Sequence, residues 1–306
     1  MRSSVVLWVL FLGLDTSCSY LRAQDKEAKK QDDQKEFVVE LGNGVRMSFV
    51  RIPAGKFWMG SPTTEIERRS DEEQHEVEIT KEFYLGKFAV TQEQYAAIVS
   101  QNPSYFSKNG RDKESHRRVA EMDTREFPVE SVSWHDAQKF CQKLSEKENA
   151  RGRAYRLPTE AEWEFACRAG ASSKDTAPFY LADGPVFSIS SRNANFDGKY
   201  PYSGADKADS LGRTTKVGTF APNRLGLFDM HGNLSQWCQD YYGPYSKLST
   251  TKDPVQNEKQ GEDRRIYRGG SWGNPGHSCR AANRFKGAPE NRYDTVGFRV
   301  VLTLLP

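Results

Sequence analysis

The chain has 306 residues, with 44 Lys and Arg against 41 Asp and Glu, a net charge of +3. Acids and bases are interspersed, so it carries no basic stripe of the kind that binds nucleic acid. A mean hydropathy of −0.76 with 12% aromatic residues excludes disorder and describes a polar, loop-rich surface over an aromatic core.

In chain order, Arg2 precedes an unbroken apolar run, Val5 to Leu14, that stops at Asp15. The run falls short of the ~20 residues that span a bilayer, so residues 1–23 read as a secretory leader with Leu21-Arg22-Ala23 as its cleavage site. The alternative, a lipoprotein acylated on Cys18, ranks lower because Asp15-Thr16-Ser17 lacks the apolar residue expected three positions earlier. No later stretch approaches spanning length. Export to the periplasm or extracellular space is therefore the expectation. Residues 24–36 are nearly all charge and polar side chains and read as a solvated linker. One folded domain is expected over 37–306.

Phe37 to Leu41, Gly42-Asn43-Gly44 and Met47 to Met59 read as strand, tight turn, strand. Glu76 to Ile79 and Phe83-Tyr84-Leu85 carry further strand signals. Thr91 is placed to cap a helix over Thr91 to Val99, with Gln94 closing a capping box. Ser107 to Arg125 is charged and without apolar period, a surface insertion. Ser133 caps an amphipathic helix whose Ala137, Phe140, Cys141 and Leu144 share one face. Thr159 and Glu162 form a second capping box, after which Trp163, Ala166 and Cys167 face the core. Beyond Gly170 helical periodicity disappears. Short runs such as Thr215 to Phe220 follow, then a polar insertion from Tyr245 to Arg264 and two strands, Arg265 to Trp272 and Gly297 to Leu302. The reading is α+β, with few helices, short strands and long loops that need fastening.

Removal of the leader takes Cys18 away and leaves Cys141, Cys167, Cys238 and Cys279. An even number in an oxidising compartment predicts two disulfides, with three possible connectivities. A zinc site is the weaker reading, since no C-x2-C pair exists. The five histidines, His75, His116, His135, His231 and His277, show no metal-ligand spacing. Asn233-Leu234-Ser235 matches a glycosylation sequon.

Five motifs in order then carry a resemblance. They are Ile52 to Ser61 (IPAGKFWMGS); Phe127-Pro128-Val129 with Val132-Ser133-Trp134; Arg156 to Glu164 (RLPTEAEWE); Gly226 to Met230 with Gly232-Asn233; and Arg268 to Trp272 (RGGSW), closing with Gly297-Phe298-Arg299. Together they resemble the formylglycine-generating enzyme, or sulfatase-modifying factor, family across residues 40 to 302. The resemblance implies a fold related to C-type lectins, stabilised by Ca2+. Some members of that family are copper-dependent enzymes that oxidise a sulfatase cysteine to formylglycine.

Transferred residue by residue, the family pattern implies a first calcium site from the Asn195 and Asp209 side chains and the carbonyls of Phe196 and Leu211. It implies a second, weaker site from Asp229, the carbonyls of Gly232 and Leu234, and Gln236, where the family has a glutamate. It also implies a Cys167–Cys279 disulfide, which would leave Cys141 to pair with Cys238. Oxidase members hold copper(I) with two thiolates. Counting from Ser271, the first of these positions holds Asn274, and the second is Cys279 if the alignment has no gap. Counted back from Arg284, Cys279 matches neither. Copper-dependent oxidation is therefore not expected. Ser271, Trp272, Asn274, His277, Arg280 and Arg284 would instead line a cleft for a peptide or small-molecule ligand, another exported protein being a candidate partner, with the arginines forking an anion. The competing expectation is an active formylglycine-generating oxidoreductase with an unrecognised metal site.

Overall fold

A computed structural model describes residues 36–110, 113–248 and 250–305. The leader, Cys18 and nearly all of the linker lie outside the described residues. Among those described, no helix is long and apolar enough to cross a membrane.

The first hairpin follows its turn chemistry. Strands β1 (Glu36–Gly42) and β2 (Val45–Ile52) pair antiparallel around Asn43 and Gly44. Both turn residues take positive φ, 53° and 78°, which Asn and Gly adopt at least cost. The long apolar run expected to be one strand is two, because Pro53-Ala54 breaks it before β3 (Gly55–Met59). That strand pairs with β4 (His75–Ile79), and β5 (Phe83–Gly86) returns to β2.

Both capping boxes form. Thr91 and Gln94 start helix α1 (Gln92–Val99), and Thr159 and Glu162 start α4 (Glu160–Cys167). The inserted segment contributes a short helix, α2 (Lys113–Val119), absent from the sequence reading. Ser133 caps α3 (Trp134–Glu148), with Asp136 completing a third box. The described residues thus hold four α-helices.

After α3 the chain forms β6 (Arg153–Arg156), α4, the small hairpin β7 (Phe179–Leu181) and β8 (Gly184–Val186), and β9 (Ser235–Tyr241). It closes with β10 (Arg265–Arg268), β11 (Arg284–Gly287), β12 (Val296–Phe298) and β13 (Val301–Leu304). One sheet has the order β1-β2-β5-β13-β6 and a second β11-β10-β9-β12, with β12 parallel to β9. Thr215 to Phe220 forms no strand.

Helix α3 lays Ala137, Phe140, Cys141 and Leu144 against Phe49, Tyr155, Phe298 and Leu302, the first core cluster. Helix α4 brings Trp163, Phe165, Ala166 and Cys167 into a second cluster with Ile52, Phe57, Val77 and Ile266. The two sheets are joined at β12–β13, where only Arg299 and Val300 intervene. Long loops from residue 187 to 234 and from 269 to 283 cover one end of these layers, and the candidate site lies there.

Candidate functional site

Strand β10 ends at Arg268, after which Gly269 and Gly270 turn the chain with φ of 100° and 70°. A Cβ on Gly270 would stand 2.6 Å from Cys279 Sγ, so glycine is what lets the loop fold back onto itself. Within it the Ser271 hydroxyl donates to Asn274 Oδ1 at 2.7 Å. The Asn274 carbonyl accepts the Asp197 N–H at 2.8 Å. Trp272 is half-buried; its indole N–H donates to the Asp294 carbonyl at 3.1 Å and its ring meets Phe106 edge-on at 5.3 Å. His277 lies half-buried in the 3₁₀ turn Gly276–Cys279. Ser271, Trp272, Asn274 and His277 thus share one loop.

The arginines are not available to a ligand, which corrects their expected role. Arg280 is fully buried and bonded to Glu72 through Nη1 and Nη2, both at 2.8 Å, and to Glu65 at 2.6 Å. Arg284 forks Glu160 at 2.7 and 2.8 Å and also donates to the Asp71 and Gly243 carbonyls. These acids lie 208, 215 and 124 positions away in sequence, and of them only Glu160 belonged to a motif. The physical reason is burial: a guanidinium taken out of water needs a carboxylate of its own.

The expected disulfides are also corrected, since Cys141, Cys167, Cys238 and Cys279 are all free and buried. His231 stands between the first-choice partners. Its Nδ1 lies 2.8 Å from the Cys279 carbonyl, and its Nε2 accepts the Tyr180 N–H at 2.9 Å with Cys167 Sγ 3.6 Å away. Burial holds the imidazole at about 4, well below its usual range, so it stays neutral. Burial pushes the Cys167 and Cys279 thiols up to about 12, which keeps them protonated and poor metal ligands. Among the described residues no group of three or more His, Cys, Asp and Glu is placed to hold a metal ion.

The first calcium set sits on two loops tied together by the Ala208 N–H to the Gly198 carbonyl at 3.0 Å. Asn195 is buried; its Nδ2 donates to the Arg213 carbonyl and Asn233 Oδ1, while its Oδ1 has no donor among the described residues. An orphaned buried oxygen fits a hard cation. Phe196 is buried beside it, and Asp209 and Leu211 are exposed. The second set does not fit. Gln236 Oε1 already accepts from the Trp163 indole at 2.9 Å and from Arg299 Nε at 3.0 Å. Asp229 accepts the Gly218 N–H, and the Gly232 carbonyl accepts the Leu234 N–H. A buried guanidinium thus holds the oxygen the cation would need.

Asn233 knits this end together. Its Oδ1 accepts from Asn195, and from the Thr215 N–H at 2.9 Å, while its carbonyl accepts the Trp272 N–H at 3.2 Å. It is 1% exposed. Glu130 was missed by sequence reading; it accepts the Tyr105 and Phe106 N–H groups at 3.0 and 2.8 Å, just before the inserted segment, and Phe106 is the ring that meets Trp272.

The Sulfatase-modifying factor enzyme 1-like domain matches residues 40–304. The chain belongs to this family. An inactive C-alpha-formylglycine-generating enzyme 2 of Bos taurus is 28% identical over 85% of this chain and 90% of its own. The formylglycine-generating enzyme of Mus musculus is 31% identical over 58% of this chain and 45% of its own. A serine/threonine-protein kinase pkn1 of Chlamydia pneumoniae is 28% identical over 92% of this chain, which spans 40% of that protein's length. Among solved structures, PvdO from Pseudomonas aeruginosa has a TM-score of 0.68 at 27% identity, covering 89% of this chain and 100% of that one. The α+β sulfatase-modifying factor fold is thereby established.

Proposed function

We propose that this sulfatase-modifying factor domain is an exported, calcium-stabilised binding module for a peptide or small ligand, without copper-dependent cysteine oxidation. The observation that carries this reading is Asn274. Where the oxidase members need a thiolate, an amide oxygen here accepts the Ser271 hydroxyl. The only cysteine of the same loop is Cys279, buried and with its thiol pushed up to about 12. One protonated sulfur cannot make the two-thiolate site that copper(I) prefers. The similarity to a protein named as an inactive formylglycine-generating enzyme supports the same reading.

With Arg280 and Arg284 spent on internal carboxylates, ligand contact at this loop falls to Trp272, Asn274 and His277. Stacking area and amide hydrogen bonds suit a neutral peptide segment better than an anion. Calcium binding at the first site, from Asn195, Phe196, Asp209 and Leu211, would fix the adjacent loops.

Titration of the purified protein with copper(I), with and without Cys279→Ser, together with turnover of a cysteine-containing sulfatase peptide, tests the reading. No stoichiometric tight copper and no turnover are expected. Stoichiometric copper lost in Cys279→Ser, with peptide oxidation, would establish the oxidase instead.

A further inference from the structure

A second cavity, of about 240 Å³, opens between the loop after β3, the segment before β7, and the loops carrying Phe187 and Tyr202. It shares no lining residue with the Ser271–His277 loop. Its walls include Pro62, Ile66, Pro178, Phe187 and Tyr202. Phe187 is 65% and Ile66 58% exposed, so two large apolar side chains stand at this cavity without cover.

Glu65 also lines it, with a side chain only 3% exposed. Its Oε1 takes one donor from Arg280 at 2.6 Å, but its buried Oε2 has no donor among the described residues. The one cation bonded to it is shared, and Arg168, itself paired with Glu164, acts on it only from further away. Arg280 is already matched by Glu72, which it meets at 2.8 Å through both nitrogens and which also accepts the Ser61 hydroxyl at 2.8 Å. Two carboxylates therefore face one guanidinium. Among the described residues the other charged lining side chain is Asp175, and no lysine or arginine lines the cavity. The Tyr202 hydroxyl is spent on the Ile66 carbonyl at 2.7 Å. The cavity thus offers apolar wall, negative charge and an unmet acceptor. A buried carboxylate oxygen left without a donor is costly, and a charged donor relieves it most.

We propose that this cavity binds an ammonium group carried on an apolar body, with the apolar part against Phe187 and Ile66 and the ammonium at Glu65. The volume lies just below the about 300–1,000 Å³ of drug-sized sites, so the occupant is a small amine or a single amine-bearing side chain.

Calorimetric titration of the full chain with phenethylamine, phenethyl alcohol, 3-phenylpropionate and acetyl-lysine amide tests this. Phenethylamine is expected to bind at least tenfold more tightly than the alcohol, and the propionate not to bind. Tighter binding of acetyl-lysine amide than of phenethylamine would assign the site to a protein's lysine; the reverse order would assign it to a free amine. Glu65→Gln is expected to weaken amine binding at least tenfold. Phe187→Ala, at an exposed position that leaves the fold intact, should weaken it several-fold whether or not the glutamate variant folds. Equal affinity for amine and alcohol, or no binding of either amine, would overturn the proposal. These outcomes are independent of copper binding and turnover, so failure here and failure of the non-oxidase reading are separable.

Discussion

The two carboxylate oxygens of Glu160 receive Nε and Nη2 of Arg284 at 2.7 and 2.8 Å, with the side chains 5% and 1% exposed. Glu160 also accepts from Arg268, which is fully buried and bonded in addition to Glu164 and the Ala281 and Ala282 carbonyls. Removing the shared acid leaves the buried Arg284 with no carboxylate and takes one of two from Arg268. Glu160→Ala should therefore cost about 3–5 kcal/mol of stability, read from denaturant unfolding. A loss below about 1 kcal/mol would show that water replaces the carboxylate.

The four cysteines of the domain are expected to behave as sealed thiols. Burial raises all four above the ordinary thiol range, so thiolate is scarce and access is closed. Native protein should resist Ellman's reagent at pH 8 and react fully in guanidinium chloride. A disulfide-linked peptide joining Cys167 and Cys279 in non-reducing mass spectrometry would contradict the structure.

Glu130 makes stability depend on pH in an identifiable direction. Burial pushes its carboxyl up to about 7 from 4.5. Between these values the folded state holds a proton that the unfolded state releases, so its contribution is present below pH 4.5 and lost as pH rises towards 7. Glu130→Gln cannot titrate. Relative to wild type, the variant should gain stability from pH 4.5 to 7 by on the order of 3 kcal/mol. Parallel stability profiles for the two proteins would rule this out.

Calcium should raise the unfolding temperature through Asn195 and Asp209. At a hundredfold excess over its dissociation constant an ion contributes about 2.7 kcal/mol. Asp209 is exposed, so Asp209→Ala removes a charged ligand with little packing cost. Wild type should lose the added stability in a chelator, and Asp209→Ala should show no response to calcium. An equal response in both would place the ion elsewhere.

Much of the frame was legible because it is written locally. The Asn43-Gly44 turn, the capping pairs Thr91 with Gln94 and Thr159 with Glu162, and the α3 stripe all depend on residues within a few positions of each other. Helix α2 was not legible, since Lys113–Val119 has no apolar period and buries only Ser115 and Val119. At the site, the Gly-Gly-Ser motif places Asn274 three residues after Ser271, and the structure adds that its side chain accepts the Ser271 hydroxyl. The roles of Arg280 and Arg284 were not legible, because their partners arrive from Glu65, Glu72 and Glu160 across the fold. No pattern along the chain records a contact between residues two hundred positions apart. The disulfide expectation rested on the family pattern, whereas all four cysteines are free here, with His231 beside the Cys167 sulfur and the Cys279 carbonyl.

Asn233 carries a last consequence. The sequon Asn233-Leu234-Ser235 places a glycan acceptor on the side-chain amide that holds Asn195 and Thr215 together. A folded chain cannot present that amide to a transferase, and a chain already modified there cannot close these loops. In a eukaryotic secretory host, occupancy of Asn233 would therefore act as a clock, marking molecules that met the transferase before they finished folding. Asn233→Gln would not be a harmless way to remove the sugar, because it would also dismantle the knot that makes the site.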